Sequence, residues 1–200
     1  PNTKINITLG SSGKLSAQIQ HGAPYDIFMS ADMTYPNTLF SKGFTTQKPV
    51  LYTQGTLALF STKRLNIQKN ITLLEQKKIH KIAIANPKTA PYGKATIQAL
   101  ANANLLTKVK SKLIYAESIS QSVAYTITAA DIGIIATSAL YSSRMSRYKK
   151  GINWIEIDQS LYTPIQQGIV LLNSNPEAKA FYEFIVSNQA KAIFAKYGYI

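Results

Sequence analysis

Cysteine is absent from all 200 residues. That excludes thiolate nucleophiles, cysteine zinc sites and disulfides, and it agrees with an oxidising compartment. Histidine occurs only at His21 and His80, and neither has a histidine at i+4 or a nearby acidic partner in sequence. His80 lies in a lysine-rich turn and His21 in a Gln-His-Gly turn, so both read as surface residues. No run of about 18 consecutive apolar residues occurs, so no membrane span is expected. No basic-then-apolar leader opens the chain at Pro1, and a signal peptide is expected to have been removed or never present. HExxH, GxSxG and GxGxxG are all missing. Glu117 sits beside serines, but one carboxylate is not an acid/base pair. An enzyme is not expected.

Acidic side chains are scarce too: nine Asp+Glu stand against 22 Lys+Arg, a formal charge of +13. Such a field attracts anions, whether nucleic acid, anionic lipid or small solutes. Only Arg64, Arg144 and Arg147 are arginines, and the lysines are spread along the chain. Base readout favours the bidentate arginine fork and a clustered stripe. Diffuse lysine fits long-range steering or solubility better, and a basic bias common to a whole proteome is the plain alternative. With 46% hydrophobic and 16% charged residues, the chain has the composition of a globular protein. Its length allows one large domain or two small lobes and burial of roughly 70% of the unfolded surface.

Short β-rich runs alternate with longer amphipathic stretches, the pattern of an α/β protein. Strands are expected at Lys4–Leu9, Tyr25–Ser30, Thr56–Ser61, Lys81–Ala85, Lys112–Ala116, Asp131–Ala136, Ile152–Ile157 and Gly168–Leu172. Helices are expected at Lys14–Gln20, Leu73–Lys78, Lys94–Ala103, Gln121–Thr128, Pro176–Val186 and Gln189–Tyr197. Asn175 starts the fifth of these, and Asp32 is able to cap the segment after it. Gly55 divides Val50–Ser61 into two strand-like halves, and Gln166–Leu172 repeats this extended, glycine-bearing character. Both segments could be ribbons crossing between two lobes.

One local construction occurs three times. Gly10-Ser-Ser-Gly-Lys14 follows the first expected strand and opens a helix. It is not a nucleotide P-loop, because the gap between glycines is two residues and Leu15 follows the lysine. Free N–H groups and hydroxyls at a helix start still make an anion site, although Ser11 or Ser12 would serve equally as an ordinary N-cap. Asn86–Gly93 after KIAIA and Glu117–Ser120 after KLIYA repeat the arrangement. Ligands of open α/β sheets bind beyond the carboxyl ends of strands, so three such turns could surround one small anion with neutral donors.

The same segments carry a family resemblance. Ser11–Leu15 followed by Gln18-Ile19, then Gly22-Ala-Pro-Tyr-Asp26 and Ser30-Ala-Asp32, resemble the molybdate-binding proteins of periplasmic ABC importers. Asn86–Gly93, Glu117-Ser-Ile-Ser-Gln121 and Ala192–Gly198 follow in the same order, so the resemblance spans nearly the whole chain. It implies a type II periplasmic-binding-protein-like α/β fold of two lobes, each a mixed, mostly parallel sheet flanked by helices. A two-stranded hinge would join residues 1–54 and 169–200 to residues 55–168. Molybdate or tungstate would bind in the cleft, with no cofactor and no metal coordinated directly by side chains. Carried over by position, Ser12 would donate its hydroxyl and backbone N–H, Tyr92 and Ile119 their backbone N–H groups, and Ser11 would be a lesser donor beside Ser12. Read without the resemblance, Tyr92 is a turn aromatic and Ile119 a core residue. The implied partners are an inner-membrane ABC permease and its ATPase, the location is the periplasm, and nucleic acid has no role.

Two departures from that pattern stand out. Some family members carry a ligand tyrosine just after the DIGII-like strand, where this chain has Ala136 and then Thr137. The family also begins with a strand, a small-residue turn and a long helix that precede the equivalent of Pro1. A longer mature protein is therefore expected, and this chain should expose apolar edges where that strand would pair. Other readings remain: a sulfate or phosphate receptor, with Glu117 the only acid in the three turns; a basic nucleic-acid-binding domain; and the effector domain of a transcription regulator, for which no helix-turn-helix is present.

Overall fold

Among residues 3–200, which the computed structural model describes, strands form where β-branched runs find partners, and helices where a cap meets an apolar stripe. In chain order the elements are α1 (Ser12–Gln20), β1 (Ile27–Ser30), α2 (Thr34–Ser41), β2 (Val50–Gly55), β3 (Leu57–Phe60), β4 (Ile82–Ala85), α3 (Pro91–Asn102), α4 (Leu106–Val109), β5 (Leu113–Ala116), α5 (Ile119–Thr128), β6 (Ile132–Ala136), β7 (Trp154–Glu156), β8 (Ile165–Leu171), α6 (Pro176–Ile185) and α7 (Asn188–Lys196). The described residues form two open sheets, ordered β1-β8-β2 and β5-β4-β6-β3-β7. This is a mixed α/β architecture with flanking helices, as expected.

Among the strands of the described residues, parallel pairing joins β4 with β5 and β4 with β6. β3 runs antiparallel to β6 and β7. Among the described residues the smaller sheet is wholly antiparallel, because β1 and β2 both pair with the late strand β8, which runs against them. The expectation of mostly parallel sheets therefore fails for the smaller one. β4 and β6 are buried along their whole length, as central strands covered on both faces are.

Between the sheets the chain runs almost straight from β2 into β3, with only Thr56 intervening. Beside it β8 runs antiparallel, Gly55 opposite Ile165. Of the two segments expected to cross, the one around Gly55 joins the sheets, whereas Gln166–Leu172 lies within the smaller sheet as part of β8. A Cβ on Gly55 would collide with the Tyr92 hydroxyl and lie 2.7 Å from Gln167 Nε2, so glycine is required by close approach.

The largest core cluster lies on one face of the five-stranded sheet, where Leu57, Ile84, Ile132 and Ala136 meet Leu100 of α3 and Tyr92. On the other face Ala58, Phe60 and Ile135 pack with Leu140 and Trp154. The smaller sheet is covered by α6 through Tyr182 and Ile185, and on its other side by Ile19 of α1 and Leu39 of α2.

Several expected elements differ. Lys4–Leu9 alternates like a strand but pairs with nothing among the described residues, and Ile7 and Leu9 stay 77% and 78% exposed. Thr34–Ser41 forms α2, started by the Asp32 carboxylate accepting from the Tyr35 N–H at 3.2 Å. Leu73–Lys78 is no α-helix; a 3₁₀ segment occupies Ile67–Glu75 and breaks at Asn70, where φ is 51°. The strand at Ile152–Ile157 shrinks to Trp154–Glu156. α3 begins at Pro91 rather than Lys94, which moves Tyr92 from a loop into the first helical turn.

Candidate functional site

Three helix starts are tied to one another by short contacts. At the first, Ser11 is the N-cap of α1, and its Oγ accepts from the Lys14 N–H at 3.4 Å. Ser12 begins the helix and is buried; its Oγ accepts from the Ala31 N–H at 3.0 Å. That bond fixes the hydroxyl while leaving its proton free to donate. The second start is α3. Ala90, its N-cap, supplies no side-chain cap, and Pro91 has no N–H, so Tyr92 carries the first amide proton of the helix. No acceptor among the described residues takes it. Gly93 lets this turn sit directly over the end of β4, because a Cβ there would strike Ala85 O and lie 2.8 Å from the Asn86 carbonyl carbon.

At the third, Ser118 caps α5 by accepting from the Gln121 N–H at 3.2 Å. Gln121 Oε1 in turn accepts from the Glu117 N–H at 2.6 Å, a variant of the capping box. The N–H groups of Ile119 and Ser120 find no acceptor among the described residues. All three helices have eight residues or more, so each start carries the positive end of a dipole along with its unpaired donors.

Specific contacts draw the three together. The Gly13 N–H donates to Thr89 O at 2.9 Å, joining α1 to the loop that enters α3. Glycine eases this approach: a Cβ on Gly13 would lie 2.7 Å from the Tyr35 hydroxyl and 3.0 Å from Thr89 O, so both neighbours would have to shift. The Asn86 N–H donates to Ala116 O at 2.8 Å, joining the same loop to the end of β5. Lys14 Nζ reaches Glu117 Oε1 at 2.5 Å, linking α1 to the entry of α5. Both side chains of that pair are half exposed, so it marks proximity more than it stabilises.

Tyr92 faces two ways. Its amide belongs to the helix start, while its side chain runs inward to the crossing strands. The Tyr92 hydroxyl accepts from Gln167 Nε2 at 2.8 Å, and Gln167 Oε1 accepts from the Tyr52 hydroxyl at 2.8 Å. Burial, with smaller contributions from Tyr199 and Tyr52, pushes the Tyr92 phenol well above its ordinary 10, so it stays neutral. This buried chain of three side chains anchors the α3 start to β2 and β8.

Of the residues expected to act, Ser11, Ser12, Tyr92 and Ile119 therefore all lie at helix starts that touch or are bridged to one another. Ala136 lies in the same core cluster as Tyr92. Sequence reasoning missed Thr89 and Gln167. The first acts through its carbonyl, which no residue type encodes, and the second lay in a segment noticed only for its extended character. His21 and His80 are exposed. Among the described residues no group of three His, Cys, Asp or Glu could hold a metal ion. What remains is a set of neutral donors suited to one small anion.

Comparison with known proteins points the same way. The family described as bacterial extracellular solute-binding protein matches residues 1–200. The molybdate-binding protein ModA of Azotobacter vinelandii is 34% identical over 98% of this chain and 79% of its own length. Its Rhodobacter capsulatus counterpart is 32% identical over 98% of this chain and 77% of its own length. The solved structure of the Azotobacter vinelandii periplasmic molybdate-binding protein superposes with a TM-score of 0.86 at 32% identity, covering 96% of this chain and 84% of that one.

Proposed function

The chain belongs to the bacterial extracellular solute-binding protein family, and from that premise we propose that it is the molybdate receptor of an ABC importer. It is a binding protein and not an enzyme, as its relatives are. The observation that carries the reading is the meeting of three helix starts whose leading amides, those of Ser12, Tyr92 and Ile119, have no acceptor among the described residues. A desolvated dianion needs several short donors, and fixed dipoles supply them without a buried counter-cation.

In this reading the Ser12 hydroxyl and N–H and the Tyr92 and Ile119 N–H groups hold the anion's oxygens, with Ser11 a lesser donor. Tungstate is accepted through the same contacts, and no resident cofactor takes part. The anion touches segments attached to both sheets, so it favours whichever arrangement keeps them together. Residues 1–54 and 169–200 act as one lobe and 55–168 as the other, moving about β2 and β8. The partners are an inner-membrane permease and its ATPase, and the working location is the periplasm. Among the described residues no helix is long and apolar enough to cross a membrane. Excess positive charge speeds capture of a dianion and is screened by salt. Glu117, the acid a phosphate receptor would use as acceptor, is engaged by Lys14.

Calorimetric titration of the chain with molybdate, tungstate, sulfate and phosphate tests the reading. One-to-one binding of molybdate, with sulfate and phosphate silent, is expected, and S12A should weaken it about 10-fold or more. Equal affinity for sulfate, or no oxyanion binding by folded protein, would overturn it.

A further inference from the structure

Thr137 follows β6 directly and is 1% exposed, yet its Oγ1 has no hydrogen-bond partner among the described residues. Among the described residues only Asn70 Oδ1 shares that condition. A buried hydroxyl without a partner is costly, and native proteins rarely keep one that no ligand or water uses.

The register shows where this hydroxyl lies. Leu57 pairs with Ala136, and the Thr137 N–H continues the ladder by donating to Thr56 O at 2.9 Å. Side chains alternate along a strand, so Thr137 shares a face with Gly133 and Ile135. That face is covered by α5: a Cβ on Gly133 would strike Thr126 Oγ1. β5 and β6 both run parallel to β4, so α5, which connects them, runs antiparallel to β6. From Thr126 back to Ile119 is about 10 Å along the helix, and from Gly133 on to Thr137 is about 13 Å along the strand. The two paths run the same way from a common contact, which sets Thr137, at the end of the ladder, at about the level of the start of α5. Ala136, one residue earlier, faces the opposite side with Tyr92.

We propose that the Thr137 hydroxyl is a further donor to the bound oxyanion, acting beside the Ile119 amide. The inference rests on the receptor reading and names a ligand contact on this chain that the helix starts alone do not supply. The ligand supplies the missing acceptor, so the hydroxyl costs stability in the empty protein and contributes to affinity in the loaded one.

Valine matches threonine in shape and lacks only the hydroxyl, so T137V separates these roles, and T137S restores the donor. Both variants and the unaltered chain would be titrated with molybdate and tungstate and melted without ligand. T137V should melt at or above the unaltered chain and bind molybdate about 10- to 100-fold more weakly, with T137S close to the unaltered chain. If the unaltered chain binds and T137V binds within twofold of it, the inference falls while the receptor reading stands. If T137V without ligand melts several degrees lower, the hydroxyl already has a partner such as a buried water, and the inference falls. If the unaltered chain binds no oxyanion, both fall together.

Discussion

Replacing Gln167 by leucine removes the central link between the crossing strands and the α3 start. Gln167 is 5% exposed and satisfies two tyrosine hydroxyls at 2.8 Å each. Tyr92 is 4% exposed and Tyr52 8%, so neither hydroxyl reaches bulk water easily after the substitution. Leaving each without a partner costs about 1–3 kcal/mol. Leucine returns about 1 kcal/mol through its extra apolar area. The net loss is about 1–5 kcal/mol, a large share of the stability of a typical domain. For a chain of this size the melting temperature should fall by about 2–20 °C. Denaturant unfolding of Q167L, Y92F and the double variant tests the cause as well as the size. Y92F strands Gln167 Nε2, whereas in the double variant only the Tyr52 hydroxyl is left unpaired. The two losses should therefore be far from additive, with a coupling of about 1–3 kcal/mol. Q167L should also weaken molybdate binding, because the Tyr92 amide loses its anchor. A Q167L protein within about 0.5 kcal/mol of the unaltered chain, or additive losses, would refute the reasoning.

G13A should leave the empty protein as stable or slightly more so, since alanine is the better helix former by about 1 kcal/mol. It should shrink the melting shift on adding molybdate, because the new Cβ pushes Thr89 away; an unchanged shift would contradict the close-approach argument. Asp131 is desolvated by burial, which raises its pKa, but Lys63 and the His80 and Lys81 N–H groups outweigh this and lower it from 3.8 to about 2. A carboxyl depressed on folding adds stability above its unfolded pKa, and that stability is lost as pH falls through the folded value. Unfolding should therefore steepen between about pH 4 and pH 2 in the unaltered chain and flatten in D131N; identical acid profiles would contradict it.

Much of the architecture was legible because its signals are local. The capping residues Ser11, Ser118 and Asn175 lie next to the groups they satisfy, and the buried strands read as apolar runs. The family resemblance implied Ser12, Tyr92 and Ile119 as donors, where local rules read ordinary capping and packing. Lys4–Leu9 shows the converse: alternation describes a strand's faces, but a strand exists only if another offers it a ladder. α2 went unmarked because Pro36 sits inside it, where it is tolerated only because the first helical turn needs no amide donors.

By itself the sequence determined that three turns would each end in a helix start, that no thiol chemistry would operate, and that the charge would favour anions. Those properties depend on residues within a few positions of one another, or on composition alone. Tertiary structure decided that the three starts would meet. It also decided that Thr89 would offer its carbonyl to Gly13, that Gln167 would hold Tyr92 and that the Thr137 hydroxyl would find no partner among the described residues. The order of strands across a sheet sets which distant ends become neighbours, and no window of sequence contains that order.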